Sequence, residues 1–152
     1  MLALVVWIGG LVALGTFAAP ATFDVLGPHA DGRALAGTIF GETLRRFHLA
    51  AYICGAVLLT SLAARRILGP RPRHFAIRLI VAVAIIGAAV WSGMVLSPQM
   101  AQARRTAGVS PSALPAEDPR RVEFDRLHGL SGSLQLVPVL GGLALLFFEL
   151  RD

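Results

Sequence analysis

The sequence contains no lysine, no asparagine and only one cysteine, Cys54, so all fourteen basic residues are arginine. A single cysteine excludes an internal disulfide, and its place in an apolar run favours a small buried side chain. Charged residues make up only 15% of the chain, and no basic stripe is interleaved with aromatic residues. The net charge of +5 therefore does not indicate nucleic-acid binding.

Sequence motifs of catalysis are also missing. There is no H-E-x-x-H motif, no glycine-rich phosphate loop and no pair of inward carboxylates. The segment GLSGS at 129–133 lacks the second glycine of the G-x-S-x-G nucleophile elbow, and its helical context excludes the strand-to-helix turn. The sequence therefore predicts that the protein is not an enzyme.

Hydrophobic residues are abundant, at 55% of the chain. Four apolar runs are long enough to cross a hydrocarbon core of about 30 Å, and they lie at 2–23, 47–68, 77–97 and 128–148. AAPA at 18–21 resembles a signal-peptide cleavage site, but no basic residue precedes the first run, which is also too long for a cleaved signal. We predict an all-α integral membrane protein, with residues 1–152 forming one domain, a four-helix transmembrane bundle.

The connection between the second and third spans is short and basic. It contains five arginines and no acid: Arg65, Arg66, Arg71, Arg73 and Arg78. Short basic loops stay in the cytoplasm, which predicts a multi-pass protein of the inner (plasma) membrane with both termini inside. The arginines of the other two connections are nearly balanced by acids, but acids count little in this rule.

The two outer connections are expected to be largely helical. Asp31 is a candidate N-cap for a helix that runs into the second span, with Glu42 spaced to pair with Arg45 or Arg46. Asp118 and Pro119 form a similar start before the fourth span, and 108–115 read as a turn. These patterns predict helical extensions on the non-cytoplasmic side.

Each predicted span has one face of small or polar side chains at helical spacing. The four stripes are Gly9, Ala13, Thr16 and Pro20; His48, Tyr52, Gly55 and Leu59; Gly87, Trp91, Met94 and Pro98; and His128, Ser131, Gln135, Pro138 and Gly142. Small residues let membrane helices approach closely, and an unpaired polar group costs several kcal/mol in lipid. We therefore expect every stripe to face the bundle. The expected contact positions are Gly10, Pro20, Gly87, Pro98 and Pro138.

The depth of these residues predicts a polar cluster beneath the outer surface, because histidines open both the second and the fourth span. The candidate ligand-binding residues are His128, Ser131, Gln135, His48, Tyr52 and Trp91, and the candidate metal ligands are His128, His48 and Met94. Ionisable side chains at this level are functional-site candidates. The alternative is that the histidines only donate hydrogen bonds at the interface, that Trp91 and Tyr52 belong to an aromatic belt, and that Met94 packs.

Two functions remain open at this point. One is an outer-side pocket that binds a metal, haem or a small lipophilic ligand, since two facing imidazoles can hold haem b iron or join Met94 around copper. The other is a structural or accessory subunit, in a homo-oligomer or a larger membrane complex, whose polar seams serve only helix packing. In both cases the surrounding medium is the lipid bilayer.

Three segments resemble a known family. They are WIGGLVALGTFAAPATF at 7–23, SPQM at 97–100 and EDPRRVEFDRLHGLSGSLQL at 117–136, of which the charged lead-in and LHGLS are the most specific. They are similar to small four-helix bacterial membrane proteins of unknown function related to the eukaryotic transmembrane protein 205. The resemblance implies a four-span membrane fold and no settled activity. It places Trp7, Gly10, Pro20, Phe23, Pro98, His128, Gly129 and Ser131 on the family's pattern, whereas His48 does not clearly belong to it.

Overall fold

A computed structural model of the protein describes residues 1–69 and 74–151, which form four long helices and no strand. The helices are α1 (Leu2–Leu26), α2 (Gly32–Leu68), α3 (Phe75–Ala107) and α4 (Pro119–Leu150). Each is long and apolar enough to cross a membrane, which confirms the predicted all-helical class and the predicted number of candidate spans. Arg71 and Arg73 of the basic connection lie outside the described residues.

Three helices continue beyond the predicted spans at the same end of the bundle. α2 already begins at Gly32, α3 continues to Ala107 and α4 begins at Pro119, so the predicted extensions are helical. The Asp118 side chain caps α4 by accepting a hydrogen bond from the Arg120 backbone N–H at 2.9 Å. The start of α4 is therefore well predicted by the capping rule, and the extensions are well predicted by the helical-spacing rule.

The N-cap of α2 differs from the expectation. Asp31 does precede the helix, but its side chain makes no capping hydrogen bond and its φ is 57°. In that left-handed conformation the residue belongs to the turn that leaves α1, which is a turn geometry that aspartate tolerates. The predicted ion pair does form about three helical turns further on, where Glu42 accepts hydrogen bonds from Arg45 and Arg46.

π-Helical turns interrupt α1 and α3. They span Leu14–Ala18 and Ser92–Leu96, and each is followed two residues later by a proline, Pro20 or Pro98. A proline has no N–H, and its ring clashes with a carbonyl of the preceding turn in a regular helix. The wider π turn relieves that clash, so each helix continues through its proline.

The predicted inward stripes are correct for α2 and α4 and wrong for α1 and α3. On α2, His48 and Gly55 are buried and Tyr52 is half-buried; on α4, Ser131, Pro138 and Gly142 are buried and Gln135 is half-buried. The stripe residues of α1 and α3 are all exposed: Gly9, Ala13, Thr16, Pro20, Gly87, Trp91, Met94 and Pro98. Pro20, Gly87 and Pro98 are therefore not contact positions, and His128 is also exposed at the start of its stripe.

Large side chains of α1 pack against small residues of its neighbours, which explains the error. Trp7 and Ile8 are buried, and a Cβ added at Gly142 of α4 would lie 2.6 Å from Ile8. Gly10 shows the reverse arrangement, because a Cβ there would lie 2.3 Å from the Phe47 ring of α2. Close helix contact requires a small residue on only one of the two partners, so a stripe of large residues can face inward.

Candidate functional site

A small polar cavity lies where all four helices meet. Its volume is about 20 Å³, close to the space that one water molecule requires. Three polar residues line it, namely His48 of α2, Ser92 of α3 and Gln135 of α4. The rest of the lining is mostly apolar: Trp7, Leu11, Leu44, Phe47, Ala51, Ala88, Ala89, Leu134 and Pro138. Two of the three polar residues, His48 and Gln135, are among those predicted.

The His48 ring is fixed by its own helix. It is 8% exposed, and its Nδ1 lies 2.8 Å from the Leu44 carbonyl oxygen one turn earlier. Because a carbonyl oxygen only accepts hydrogen bonds, Nδ1 carries the proton. In the neutral ring Nε2 is then the acceptor. The Tyr52 ring lies one turn later, with the two ring centroids 6.2 Å apart.

Ser92 supplies a hydroxyl whose hydrogen-bonding capacity is unused. Its side chain is 4% exposed, and its Oγ has no hydrogen-bond partner among the described residues. A buried hydroxyl without a partner costs about 1–3 kcal/mol. Ser92 also begins the π turn of α3, and its backbone carbonyl accepts a hydrogen bond from the Ser97 hydroxyl at 2.9 Å.

Gly93 brings the backbone of α3 against the histidine. A Cβ added at Gly93 would lie 2.1 Å from the Tyr52 Oη and 2.9 Å from the His48 ring. The sequence prediction missed both Gly93 and Ser92, because it placed the stripe of Gly87, Trp91 and Met94 on the inner face, and these three residues are exposed. The useful signal is Pro98, since a proline within an apolar span predicts a disturbed turn before it.

Several predicted site residues lie elsewhere. Trp91, Met94 and His128 are exposed, and the His128 ring stacks on Phe124 with a centroid distance of 6.1 Å. Ser131 is buried as expected, but it does not line the cavity. The structure therefore does not bring together the predicted cluster beneath the outer surface.

The residues at the cavity do not fit haem or a protein-built copper site. Haem needs a pocket of several hundred Å³, whereas the cavity measures about 20 Å³. Within the described part of the chain His48 is the only histidine that lines it, and both His128 and Met94 are exposed. Among residues 1–69 and 74–151 there is no group of three or more His, Cys, Asp and Glu side chains that could hold a metal.

A second polar cluster, which the sequence prediction did not consider, lies at the other end of the bundle. Arg78 of α3 donates hydrogen bonds to the Glu149 carboxylate at 2.8 Å and to the Phe148 carbonyl oxygen at 2.7 Å. Arg65 of α2 pairs with the same carboxylate. The side chain of Arg78 is 2% exposed and that of Glu149 is 23% exposed. The sequence feature that could have predicted this cluster is a single acid, Glu149, at the end of the last apolar run. In alternating spans it lies at the same end of the bundle as Arg78, at the start of the third run.

One family model matches the sequence. It describes a domain of unknown function, DUF4149, and it covers residues 2–108, which include α1, α2 and α3. The match agrees with the uncharacterised family that the resemblance implied. The LHGLS segment of α4 lies beyond the match, and the relation to transmembrane protein 205 stays a prediction. No curated protein and no solved structure matches the sequence.

Proposed function

The chain belongs to the DUF4149 family, which has no assigned activity, and we propose that its polar cavity binds a small lipophilic ligand. In this proposal His48, Ser92 and Gln135 hold one polar group of the ligand inside the bundle. The four apolar helices support placement in a lipid bilayer, from which such a ligand would enter. The proposal assigns binding and no catalytic step to this site.

The unpartnered Ser92 hydroxyl is the observation that carries the proposal. Its Oγ is buried and unbonded among the described residues, and Ser92 lines the same cavity as His48 and Gln135. A hydroxyl, an aromatic nitrogen and an amide can together donate to and accept from one oxygen-containing group. Leaving such groups unsatisfied in an apolar interior is costly, so a bound polar group would stabilise them.

The size of the cavity and its apolar lining define the ligand class. About 20 Å³ admits one polar group. The cavity has no room for a hydrocarbon body, so the apolar remainder would lie outside it, along the exposed aliphatic side chains of the helices. A ligand with one carbonyl or hydroxyl group on a hydrocarbon body meets this condition when only that group enters the cavity.

The proposed location is the inner (plasma) membrane, with both termini and the connection between α2 and α3 in the cytoplasm. Arg65, Arg66 and Arg78 at that end of the bundle support this orientation.

The orientation can be tested by cysteine labelling, because the protein has a single native cysteine, Cys54. In a Cys54→Ala background, Ser112→Cys should react with an impermeant maleimide on intact cells, and Leu68→Cys should react only after lysis; the reverse pattern overturns the orientation.

The binding proposal is tested by what stays with the protein after purification in a mild detergent. An organic-solvent extract of the wild type, analysed by mass spectrometry, should contain one small lipophilic molecule in stoichiometric amount. Gln135→Leu removes one hydrogen-bonding partner, so retention should fall about tenfold. Gln99→Leu is the matched control, because Gln99 is exposed on α3 and does not line the cavity.

Two results would overturn the binding proposal. The first is an extract with no stoichiometric molecule, which would leave the cavity to water. The second is equal retention by Gln135→Leu and Gln99→Leu, which would place the molecule elsewhere on the protein.

The alternative role, as a subunit of an oligomer or larger complex, is favoured by the surface around His128. His128 is exposed on α4 next to Gly129 and Gly132, and a Cβ added at either glycine would meet nothing within 4 Å. An ionisable side chain that faces lipid is costly, and small residues allow a partner helix to approach. Under this alternative the wild type is larger than a monomer in mild detergent and His128→Leu is monomeric. A monomeric wild type contradicts the alternative.

A further inference from the structure

The end of the bundle formed by the last turn of α2, the start of α3 and the last turn of α4 carries an excess of positive charge. Its charged side chains among the described residues are Arg65, Arg66, Arg78, Arg151 and Glu149. We call this group the arginine end. Four arginines face one glutamate, so three positive charges are not balanced by acids within residues 1–69 and 74–151.

Two of the four arginines are committed to holding the helices together. Arg78 is bound to the Glu149 carboxylate and the Phe148 carbonyl oxygen, and Arg65 pairs with the same carboxylate. These contacts join α2, α3 and α4 and neutralise one charge. The arginine end is therefore a fixed arrangement.

The other two arginines are exposed and lie over aromatic rings. The guanidinium carbon of Arg66 is 5.2 Å from the centroid of Phe75, and that of Arg151 is 4.4 Å from the centroid of Phe147. Neither has an acidic partner within the described part of the chain. A stacked guanidinium keeps its N–H groups at the ring edge, where they can donate to an external acceptor.

Large aliphatic side chains surround these arginines. Ile67 is 79% exposed, Leu68 is 85% exposed and Leu150 is 76% exposed. A free inorganic anion gains nothing from such neighbours, whereas a molecule that carries both a phosphate and acyl chains contacts both kinds of group. We propose that the arginine end binds the phosphate headgroup of an anionic phospholipid through Arg66 and Arg151. This inference rests on the proposed membrane placement and not on the ligand proposed for the polar cavity.

The test is retention of lipid by the protein reconstituted in nanodiscs that contain phosphatidylglycerol and phosphatidylcholine, then released into detergent for native mass spectrometry. The wild type should retain phosphatidylglycerol in preference to phosphatidylcholine. Each arginine at an anionic surface contributes about fivefold to affinity, so Arg66→Gln combined with Arg151→Gln should lower this retention roughly 25-fold. The matched control combines Arg105→Gln with Arg126→Gln, two exposed arginines at the opposite end, and should retain the lipid.

Three outcomes would overturn the lipid assignment. Equal loss in both double variants would show a non-specific effect of net charge. Displacement of the lipid by inorganic phosphate alone would make this a site for the free anion, and a dimer lost only in the Arg66 and Arg151 variant would assign the surface to a second copy of the chain. Gln135→Leu separates the two proposals, because it should release the cavity ligand and leave phosphatidylglycerol bound.

Discussion

The two ends of the bundle treat buried polar side chains in opposite ways. At the arginine end, Arg78 is almost fully buried and donates to a carboxylate and a carbonyl oxygen. About 21 Å further along the same helix, by the helical rise, Ser92 is also buried but has no partner among the described residues. At the arginine end the buried polar side chain bonds to a neighbouring helix, whereas at the other end the Ser92 hydroxyl remains able to form a hydrogen bond.

This difference separates a stabilising role from a binding role. A buried ion pair that loses one partner leaves an uncompensated charge, so both of its members are needed for stability. A buried hydroxyl without a partner lowers stability, and removing it can be neutral or favourable. Removal of the buried charge of Arg78 should therefore destabilise the fold, whereas removal of the Ser92 hydroxyl should not.

The largest effect is expected for Arg78→Leu. The substitution leaves the Glu149 carboxylate paired only with Arg65, whose side chain is 45% exposed. The free energy of unfolding in detergent should fall by about 3–5 kcal/mol, as for other broken buried pairs. Denaturation of the purified protein, followed by circular dichroism, measures this change.

Two variants sharpen the result for Arg78. Combining Arg78→Leu with Glu149→Leu removes both charges and should recover most of the lost stability. Arg126→Leu is the surface control, since Arg126 and Glu123 are 3.9 Å apart with side chains 73% and 52% exposed. It should change stability by no more than about 1 kcal/mol. A loss for Arg126→Leu as large as that for Arg78→Leu would remove the distinction between the two ends.

A smaller effect is expected for Gly93→Ala at the polar end. The new methyl group would lie 2.1 Å from the Tyr52 Oη and 2.9 Å from the His48 ring, so both side chains must move. Overpacking of this kind costs about 1–3 kcal/mol, and it should also weaken ligand retention because it displaces His48. Thermal unfolding and the extraction assay measure the two consequences.

Gly87→Ala is the matched control for Gly93→Ala. Gly87 lies on the exposed face of the same helix, and a Cβ there meets nothing within 4 Å. Alanine is the better helix former, so this variant should be as stable as the wild type or up to about 1 kcal/mol more stable. Equal destabilisation by both substitutions would mean that the close approach at Gly93 does not matter.

The helices and their lengths were predictable because hydrophobic run length and capping chemistry are local properties. The inner faces were predicted correctly only for α2 and α4. On α2 and α4, regular spacing correctly places Gly55 and Pro138 inward. On α3 the predicted stripe lies on the wrong face even before the π turn begins, since Gly87 and Trp91 are exposed. The buried face of this helix is Ile85, Ala89 and Ser92, which also follow regular helical spacing.

The remaining error concerns which partner of a helix contact is small. A stripe of small residues was assumed to mark the inner face, but Gly9 is exposed on α1 while Trp7 is buried. The identity of the contact depends on the neighbouring helix, where Gly55 and Gly142 receive Trp7 and Ile8. The contact at the arginine end was not predicted for the same reason, since nothing within the last span shows that Glu149 meets an arginine of α3.

Ser92→Ala tests the unpartnered hydroxyl directly. Because the Ser92 Oγ makes no hydrogen bond among the described residues, its removal should change the unfolding free energy of the ligand-free protein by less than about 0.5 kcal/mol or raise it slightly. Ser97→Ala is the matched control, since the Ser97 hydroxyl donates to the Ser92 carbonyl oxygen at 2.9 Å. It should lose about 0.5–1.5 kcal/mol. A loss at Ser92 that exceeds the loss at Ser97 would show that the hydroxyl already has a structural partner.

The smallest effect is expected for charge pairs that water can reach, and Asp118 provides the test by pH. Hydrogen bonds from the Arg120 side chain and backbone N–H lower the pKa of the Asp118 carboxyl to about 2. The unfolded carboxyl titrates near 3.9. The stabilisation from this cap is therefore fully present above about pH 4 and is lost as the pH falls through about 2.

Asp118→Asn should remove this part of the acid dependence while stability near neutral pH changes little, since asparagine also caps helices. An acid profile identical to that of the wild type would show that the Asp118–Arg120 pair contributes no pH dependence, which would leave the Arg78–Glu149 pair as the charged contact that matters for folding.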